Sequence, residues 1–246
     1  MVNGVLDEGK LFMLQAKKIF LNPNPLYDYS SIIEGCLVKD KFGEVVQMKA
    51  INSNTYRAFK RIDTTEEGAS KIYEAYFIKN KMKIINALKN TDTIEKLNDF
   101  SNKLQNEIAK LLLSGNIKDS VINYNRVRFP IDLAIEHIVC MAEELKSVRH
   151  KLVPLLFVPL DRHTINKCFN DRQRFDGKKF VEGISDIETK ESYDKLENIL
   201  YKNSLKLSKE FGETYYRIYS ELLWKDRKDN LFAGNLFESN FVYEIK

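Results

Sequence analysis

The sequence predicts a mainly α-helical protein, built as a bundle of two packed helical layers. Apolar residues recur at helical spacing through most of the chain after about residue 64. Strand-like patterning is confined to the early stretch 35–51, where two apolar runs flank Lys-Phe-Gly and allow a small β-hairpin. With 43% hydrophobic residues, 15 Phe and 12 Tyr in 246 residues, the chain can bury a sizeable core.

Two long helical patterns follow in order. The stretch 64–90 begins with a Thr-Thr-Glu-Glu start signal, and 92–115 carries Asp92 and Glu95 at capping-box spacing before it ends at Gly115. The first pattern places these apolar residues on one face: Ala69, Ile72, Tyr73, Tyr76, Phe77, Met82, Ile85 and Leu88. The second has the apolar residues Ile94, Leu97, Phe100, Leu104, Ile108, Leu111 and Leu112.

The C-terminal half predicts four further helices. One covers 129–146, with Pro130 at the first helical position, and a short one starts at or just after Asp161. The last two, 191–211 and 213–226, are separated by Gly212. We expect a mostly helical N-terminal region over 1–120 and a second helical region over 121–246, packed as one compact unit.

Composition excludes several classes of protein. No apolar run reaches the ~18 residues of a membrane helix, and the N-terminus lacks the order of a signal peptide. The three cysteines are scattered and odd in number, which indicates a reducing compartment and a cytoplasmic protein. The P-loop, GxGxxG, CxxC, HExxH and GxSxG motifs are all missing.

Charge is concentrated in one segment. Residues 146–179 carry nine basic and three acidic side chains, a net +6, whereas the whole chain is +4, so the remainder sums to −2. Such a segment is typical of a protein that binds an anionic partner such as nucleic acid. The alternative is a solvated, lysine-rich surface without a partner.

An aspartate lies in this basic segment, in the stretch "VPLDRHTINKCF" (158–169). Asp161 either caps the following helix or acts in chemistry on an anionic substrate. The helix dipole and the neighbouring Arg162 favour its ionised form. A fixed carboxylate of this kind can stabilise an oxocarbenium ion or orient the water that attacks it, as in glycosidic bond cleavage.

The same stretch resembles the Val-Pro-Val-Asp segment of helix-hairpin-helix DNA glycosylases, most closely their archaeal 8-oxoguanine branch. The stretches 135–145 and 200–224 also resemble that branch, so the likeness covers about 90 residues of the C-terminal half. It implies a helix-hairpin-helix-like segment and a catalytic role for Asp161. It also implies DNA as the partner, with the target base flipped out of the duplex.

The resemblance and the charge pattern together give candidate binding residues. The candidates for DNA binding are Arg128, Lys146, Arg149, His150, Lys151, Arg162, His163 and Lys167. The candidates for a base pocket are Glu136, Cys140, Tyr216 and Trp224. We expect no cofactor, no metal ion, no membrane association and a monomer.

The chain departs from the family at the Schiff-base lysine. The corresponding positions are Ile135, Glu136, His137 and Cys140, and the nearest lysines are Lys146 and Lys151. We therefore expect a monofunctional glycosylase, which removes the base by water without efficient strand cleavage. The base is either a damaged one, removed in DNA repair, or a modified viral one, removed in antiviral defence.

Three alternatives remain open. The chain is either a glycosylase, a nucleic-acid-binding module in which Asp161 is only a helix cap, or a helical interaction protein. A metal site at His137 and Cys140, joined by other ligands, lacks a recognised spacing. A nucleophilic Cys168 beside His163 is disfavoured because the two residues are five apart on the predicted helix.

Overall fold

The structure is a computed structural model that describes residues 2–24, 26–39, 45–48, 53–56, 59, 68–115, 117, 119–176 and 179–223. It is mainly α-helical, as the apolar spacing predicts. The first half contains helices α1 (Val2–Phe20), α2 (Tyr29–Glu34), α3 (Gly68–Lys79), α4 (Lys81–Lys89) and α5 (Ile94–Ser114). The second half contains α6 (Tyr124–Met141), α7 (Arg149–Leu152), α8 (Arg162–Cys168), α9 (Asp171–Arg174) and α10 (Lys190–Phe211). A 3-10 helix, Arg217–Leu223, follows α10.

Two small antiparallel hairpins accompany the helices. Strands β1 (Cys36–Lys39) and β2 (Val45–Met48) pair with Cys36 opposite Met48, which confirms the predicted hairpin at 35–51. The turn of that hairpin lies outside the described residues. The second hairpin, β3 (Phe175–Asp176) with β4 (Lys179–Phe180), is too short to leave an alternating pattern in the sequence.

The ends of α5 and α10 follow local sequence signals. Thr93, not Asp92, is the N-cap of α5, and its side chain accepts a hydrogen bond from the Lys96 backbone N–H at 3.2 Å. The predicted capping box of Asp92 and Glu95 is therefore wrong. The N-cap lies one residue later, and Asp92 instead forms an exposed ion pair with the Lys96 side chain. Gly115 ends α5 as predicted, and Gly212 ends α10 in the left-handed region with φ 69°, where glycine is favoured.

The pattern over 64–90 forms two helices rather than one. Its Thr-Glu start signal, at 64–67, lies outside the described residues. The chain is interrupted at Asn80, whose side-chain amide donates to the Tyr76 carbonyl at 2.8 Å. In α4, Ile85 and Leu88 are buried as the pattern predicts, whereas Met82 is 64% exposed.

Helix α6 lies at the centre of the protein. Its residues from Val127 to Met141 are all buried, and α2, α5 and α10 pack against it. The expectation that Pro130 is its first residue is wrong: α6 begins at Tyr124, and Asn123 caps it by accepting from the Arg126 N–H at 2.9 Å. Pro130 lies inside the helix and leaves the Arg126 carbonyl without its usual donor.

The apolar side chains form one continuous core. It extends along the chain from Met13 in α1 to Leu222 in the 3-10 helix, so both halves of the chain contribute to it. Helix α1 packs against α10 and against the 3-10 helix. Within the described part of the chain, every helix is too short or too polar to cross a membrane.

Candidate functional site around Asp161

Asp161 lies where a buried non-helical segment meets α8. Residues 156–160 are buried, and Asp161 has extended backbone angles of φ −102° and ψ 178°. Its Oδ1 accepts a hydrogen bond from the Thr164 N–H at 2.8 Å, and the Thr164 hydroxyl donates to the Pro159 carbonyl at 3.1 Å. The predicted helix start is confirmed, and Asp161 is the N-cap of α8.

The cap engages only one carboxylate oxygen. Within the described ranges, no residue donates a hydrogen bond to Asp161 Oδ2 or forms an ion pair with the carboxylate. The neighbouring Arg162 is exposed and does not pair with it. Asp161 itself is partly exposed, so one oxygen is fixed by the protein and the other can face a bound molecule.

Most of the predicted DNA-binding side chains are exposed around this part of the chain. On α8, Arg162, His163 and Lys167 face solvent, while Thr164 and Ile165 are buried against the core. Three more exposed side chains, Lys146, His150 and Lys151, precede the buried segment. Among the described residues, no acidic side chain pairs with Lys146, Lys151, Arg162 or Lys167, which leaves four cations available to phosphate groups.

Arg149 differs from its neighbours, because it is only 4% exposed. Its Nε donates to the Val139 carbonyl at 3.0 Å and its Nη2 to the Ala142 carbonyl at 3.1 Å. These bonds satisfy carbonyl groups at the C-terminal end of α6. Burial lowers the pKa of Arg149. The expectation that Arg149 contacts DNA is therefore wrong, since its guanidinium holds α6 to α7.

Arg128 is also enclosed and cannot reach a DNA backbone. It is 0% exposed, and its Nε lies 2.6 Å from Asp132 Oδ1. The same guanidinium donates to the Asn102 side chain at 2.9 Å and lies 5.0 Å from the centre of the Tyr193 ring. The expectation of DNA contact is wrong for Arg128 too. Its spacing from Asp132, four residues along one helix, is the signal that indicates an ion pair instead.

The structure describes three of the four proposed base-pocket residues. Glu136 and Cys140 are buried on α6, and burial raises the pKa of the Cys140 thiol. Tyr216 is partly exposed and lines a cavity of about 710 Å³ beside α5 and α10, to which neither of those two residues contributes. The fourth residue, Trp224, lies outside the described residues.

The wall of this cavity includes two buried charged residues that the helical periodicity of the sequence does not reveal. Glu197 and Arg217 form part of its wall and are 2% and 4% exposed, and the Glu197 Oε2 lies 3.3 Å from the Arg217 Nη1. Burial raises the pKa of Glu197 to about 8, against the opposing effect of Arg217. Asp161 is not among the residues that line the cavity. Glu197 falls at a buried position of α10 that only the folded chain identifies.

Thiol and metal chemistry receive no support from the geometry. Burial raises the pKa of Cys168 to about 12, and its Sγ lies 3.8 Å from the Ser220 carbonyl oxygen, so the thiol is protonated at neutral pH. Among the described residues, no three His, Cys, Asp or Glu side chains are grouped so that they could hold a metal ion.

Comparison of the chain with family models, with curated proteins and with solved structures found no match. The likeness to helix-hairpin-helix glycosylases therefore depends on the residues quoted for it.

Proposed function

We propose that the protein is a monofunctional DNA N-glycosylase, which flips a damaged or modified base out of DNA and hydrolyses its glycosidic bond. The observation that carries the proposal is that the two oxygens of the Asp161 carboxylate have different surroundings. Its Oδ1 is held by the Thr164 N–H, and its Oδ2 has no partner among the described residues. A carboxylate oxygen fixed in this way can face the sugar and stabilise the positive charge that develops as the base departs.

The exposed cations support DNA as the substrate. Lys146, Lys151, Arg162 and Lys167 are exposed and form no ion pair with a described residue. Contacts between these side chains and DNA phosphates would release counterions and hold DNA independently of its sequence. The same proposal has the protein act as a monomer in the cytoplasm, in repair or in antiviral defence.

The test is a screen for released base. The purified protein is incubated with DNAs that contain oxidised, deaminated, alkylated or hypermodified viral bases, and free base is identified by mass spectrometry. Asp161→Asn keeps the shape of the side chain and an oxygen that can cap α8, but it removes the charge. We expect base release from one class of DNA, and its loss in Asp161→Asn by at least about 10²-fold.

A matched control separates catalysis from helix capping. Thr189 caps α10 in the same manner, with its hydroxyl accepting from the Ser192 N–H at 3.2 Å. Thr189→Ala should cost about 1 kcal/mol of stability and should leave base release unchanged. If Asp161→Asn keeps full activity in the screen, the proposed role of Asp161 is wrong.

A second candidate function, a non-catalytic nucleic-acid-binding module, is favoured by the same exposed cations. In that case DNA binds with a steep salt dependence, but no base is released from any DNA of the screen. Asp161→Asn would then leave the affinity for DNA unchanged.

A further inference from the structure

Side chains from three other elements hold the segment that leads to Asp161. Its backbone is buried and lies outside any helix, so its polar groups need partners inside the protein. At its start, Arg217 donates from Nη2 to the Leu155 carbonyl at 2.8 Å and from Nε to the Leu156 carbonyl at 2.7 Å. The guanidinium also lies over the Phe157 ring, 4.1 Å from its centre.

The remaining contacts hold the end of the segment. The Val158 N–H donates to Glu197 Oε1 at 3.1 Å, three residues before Asp161. The Leu160 carbonyl accepts from the Asn125 amide at 2.9 Å, which ties the residue before Asp161 to α6. The position of Asp161 is therefore fixed by the 3-10 helix through Arg217, by α10 through Glu197 and by α6 through Asn125.

Among these groups, Glu197 is the only acceptor for a backbone N–H of the segment. It is 2% exposed and is bound on its other side to Arg217, which itself holds the first two carbonyls. Loss of the Glu197 oxygen would leave the Val158 N–H buried without an acceptor and would remove the partner of Arg217. Both effects release the same stretch of backbone.

We propose that Glu197 is a positioning residue that holds Asp161 in place through the backbone of Val158, an inference that rests on the proposed glycosylase function. A displacement of about 1 Å at a reacting group can cost about 10²-fold in rate without any loss of binding. The requirement is for an oxygen that accepts the Val158 N–H, so a neutral side chain of the same shape serves as well as a carboxylate.

Two substitutions separate the acceptor oxygen from the ionisable group. Glu197→Gln keeps an oxygen for Val158 but cannot ionise, whereas Glu197→Met keeps the size and removes the oxygens. The control is Tyr29→Phe, which also removes a buried polar group without changing the size of the side chain; the Tyr29 hydroxyl donates to the Phe77 carbonyl at 3.0 Å. Each variant is compared in unfolding midpoint, DNA affinity and single-turnover rate of base release.

We expect Glu197→Met to lower the single-turnover rate by about tenfold to 10²-fold with unchanged DNA affinity. Glu197→Gln should remain within about threefold of the parent protein, and Tyr29→Phe should lose stability but not rate. Equal rates in Glu197→Met and in the parent protein would overturn the proposal. So would an equal loss of rate in Tyr29→Phe. If Glu197→Met does not fold, Glu197→Asp replaces it, because its shorter side chain withdraws the oxygen from Val158.

A readout without catalysis distinguishes the two proposals. Amide hydrogen exchange of the peptide that covers 155–165 should be faster in Glu197→Met than in Tyr29→Phe. If no DNA yields free base while this exchange difference is present, the glycosylase function fails and the role of Glu197 in holding the segment stands. If base is released and the exchange is unchanged, the positioning role fails and the glycosylase function stands.

Discussion

Arg128 and Asp132 form an ion pair in the protein interior, with 2.6 Å between Nε and Oδ1 and side-chain exposures of 0% and 2%. The Tyr193 hydroxyl donates to the other Asp132 oxygen at 2.6 Å, which ties α6 to α10. Both carboxylate oxygens thus have partners. Because a buried charge is stable only when it is paired, the pair is expected to be essential for folding stability.

The first prediction concerns this pair. Asp132→Ala leaves the Arg128 guanidinium buried without its counter-ion, which should lower the free energy of unfolding by about 3–5 kcal/mol. Lys83→Ala is the control, because the Lys83–Glu107 pair lies on the surface at 3.1 Å and should contribute at most about 1 kcal/mol. Urea denaturation measures both values. Equal, small losses in the two variants would contradict the assignment of Arg128 to the core.

The second prediction concerns pH. Burial raises the pKa of Glu197 to about 8; Asp132 adds to the shift, while Arg217 and Arg128 oppose it. The carboxyl of the unfolded chain titrates near its ordinary value of 4.5. Between these values the folded protein keeps a proton that the unfolded chain has lost, so this group's contribution to stability falls as pH rises and levels off above the folded pKa.

The comparison of the parent protein with Glu197→Gln isolates that contribution. Urea midpoints measured at several pH values should show a decline for the parent protein between pH 4.5 and 8 that the variant lacks. An identical pH dependence in the two proteins would mean that the Glu197 pKa is not raised in the folded state.

The third prediction separates surface cations from buried ones in DNA binding. Lys151→Ala and Lys167→Ala should each reduce the slope of log affinity against log salt by about 1, since each removes one phosphate contact. Arg149→Met should leave the slope unchanged and lower stability instead, because its guanidinium binds carbonyl groups of Val139 and Ala142. Titrations at several salt concentrations measure the slopes, and a reduced slope in Arg149→Met would contradict the buried assignment.

The fourth prediction concerns strand cleavage. The glycosylases that this sequence resembles carry a Schiff-base lysine at positions that correspond to buried residues here, such as Glu136 and Cys140. Borohydride should therefore trap no covalent complex between the protein and a DNA from which it releases base. A trapped complex that disappears in Lys146→Ala or Lys151→Ala would show that a lysine outside these positions reacts with the sugar.

Local signals in the sequence predict the elements that depend on few residues. The β1–β2 hairpin, the end of α5 at Gly115 and the start of α8 after Asp161 all follow from short-range patterns of turn and capping residues. The predicted start of α6 at Pro130 is wrong. Proline is common at a first helical position, but in this protein the Asn123 cap decides where the helix begins.

Side-chain burial was harder to predict than helix position. Arg149 belongs to the basic segment 146–179, and both it and Arg128 would ordinarily be assigned to the surface. Helix α6 is instead buried from Val127 to Met141, so its C-terminal carbonyls and its charged side chains need partners inside the protein. Glu197 gave no signal, because its role depends on the Val158 N–H that folding brings to it from a distant part of the chain. Tertiary contacts of this kind are not encoded in periodicity.

The most direct test of the account is the single-turnover rate of base release by the parent protein and by Asp161→Asn, on the DNA that the screen identifies. The structure gives Asp161 one oxygen in a helix cap and one without a partner among the described residues. We predict abasic sites with the parent protein and a rate at least about 10²-fold lower with the variant at unchanged DNA affinity. Equal rates in the two proteins, or no abasic site from any DNA, would contradict the central claim.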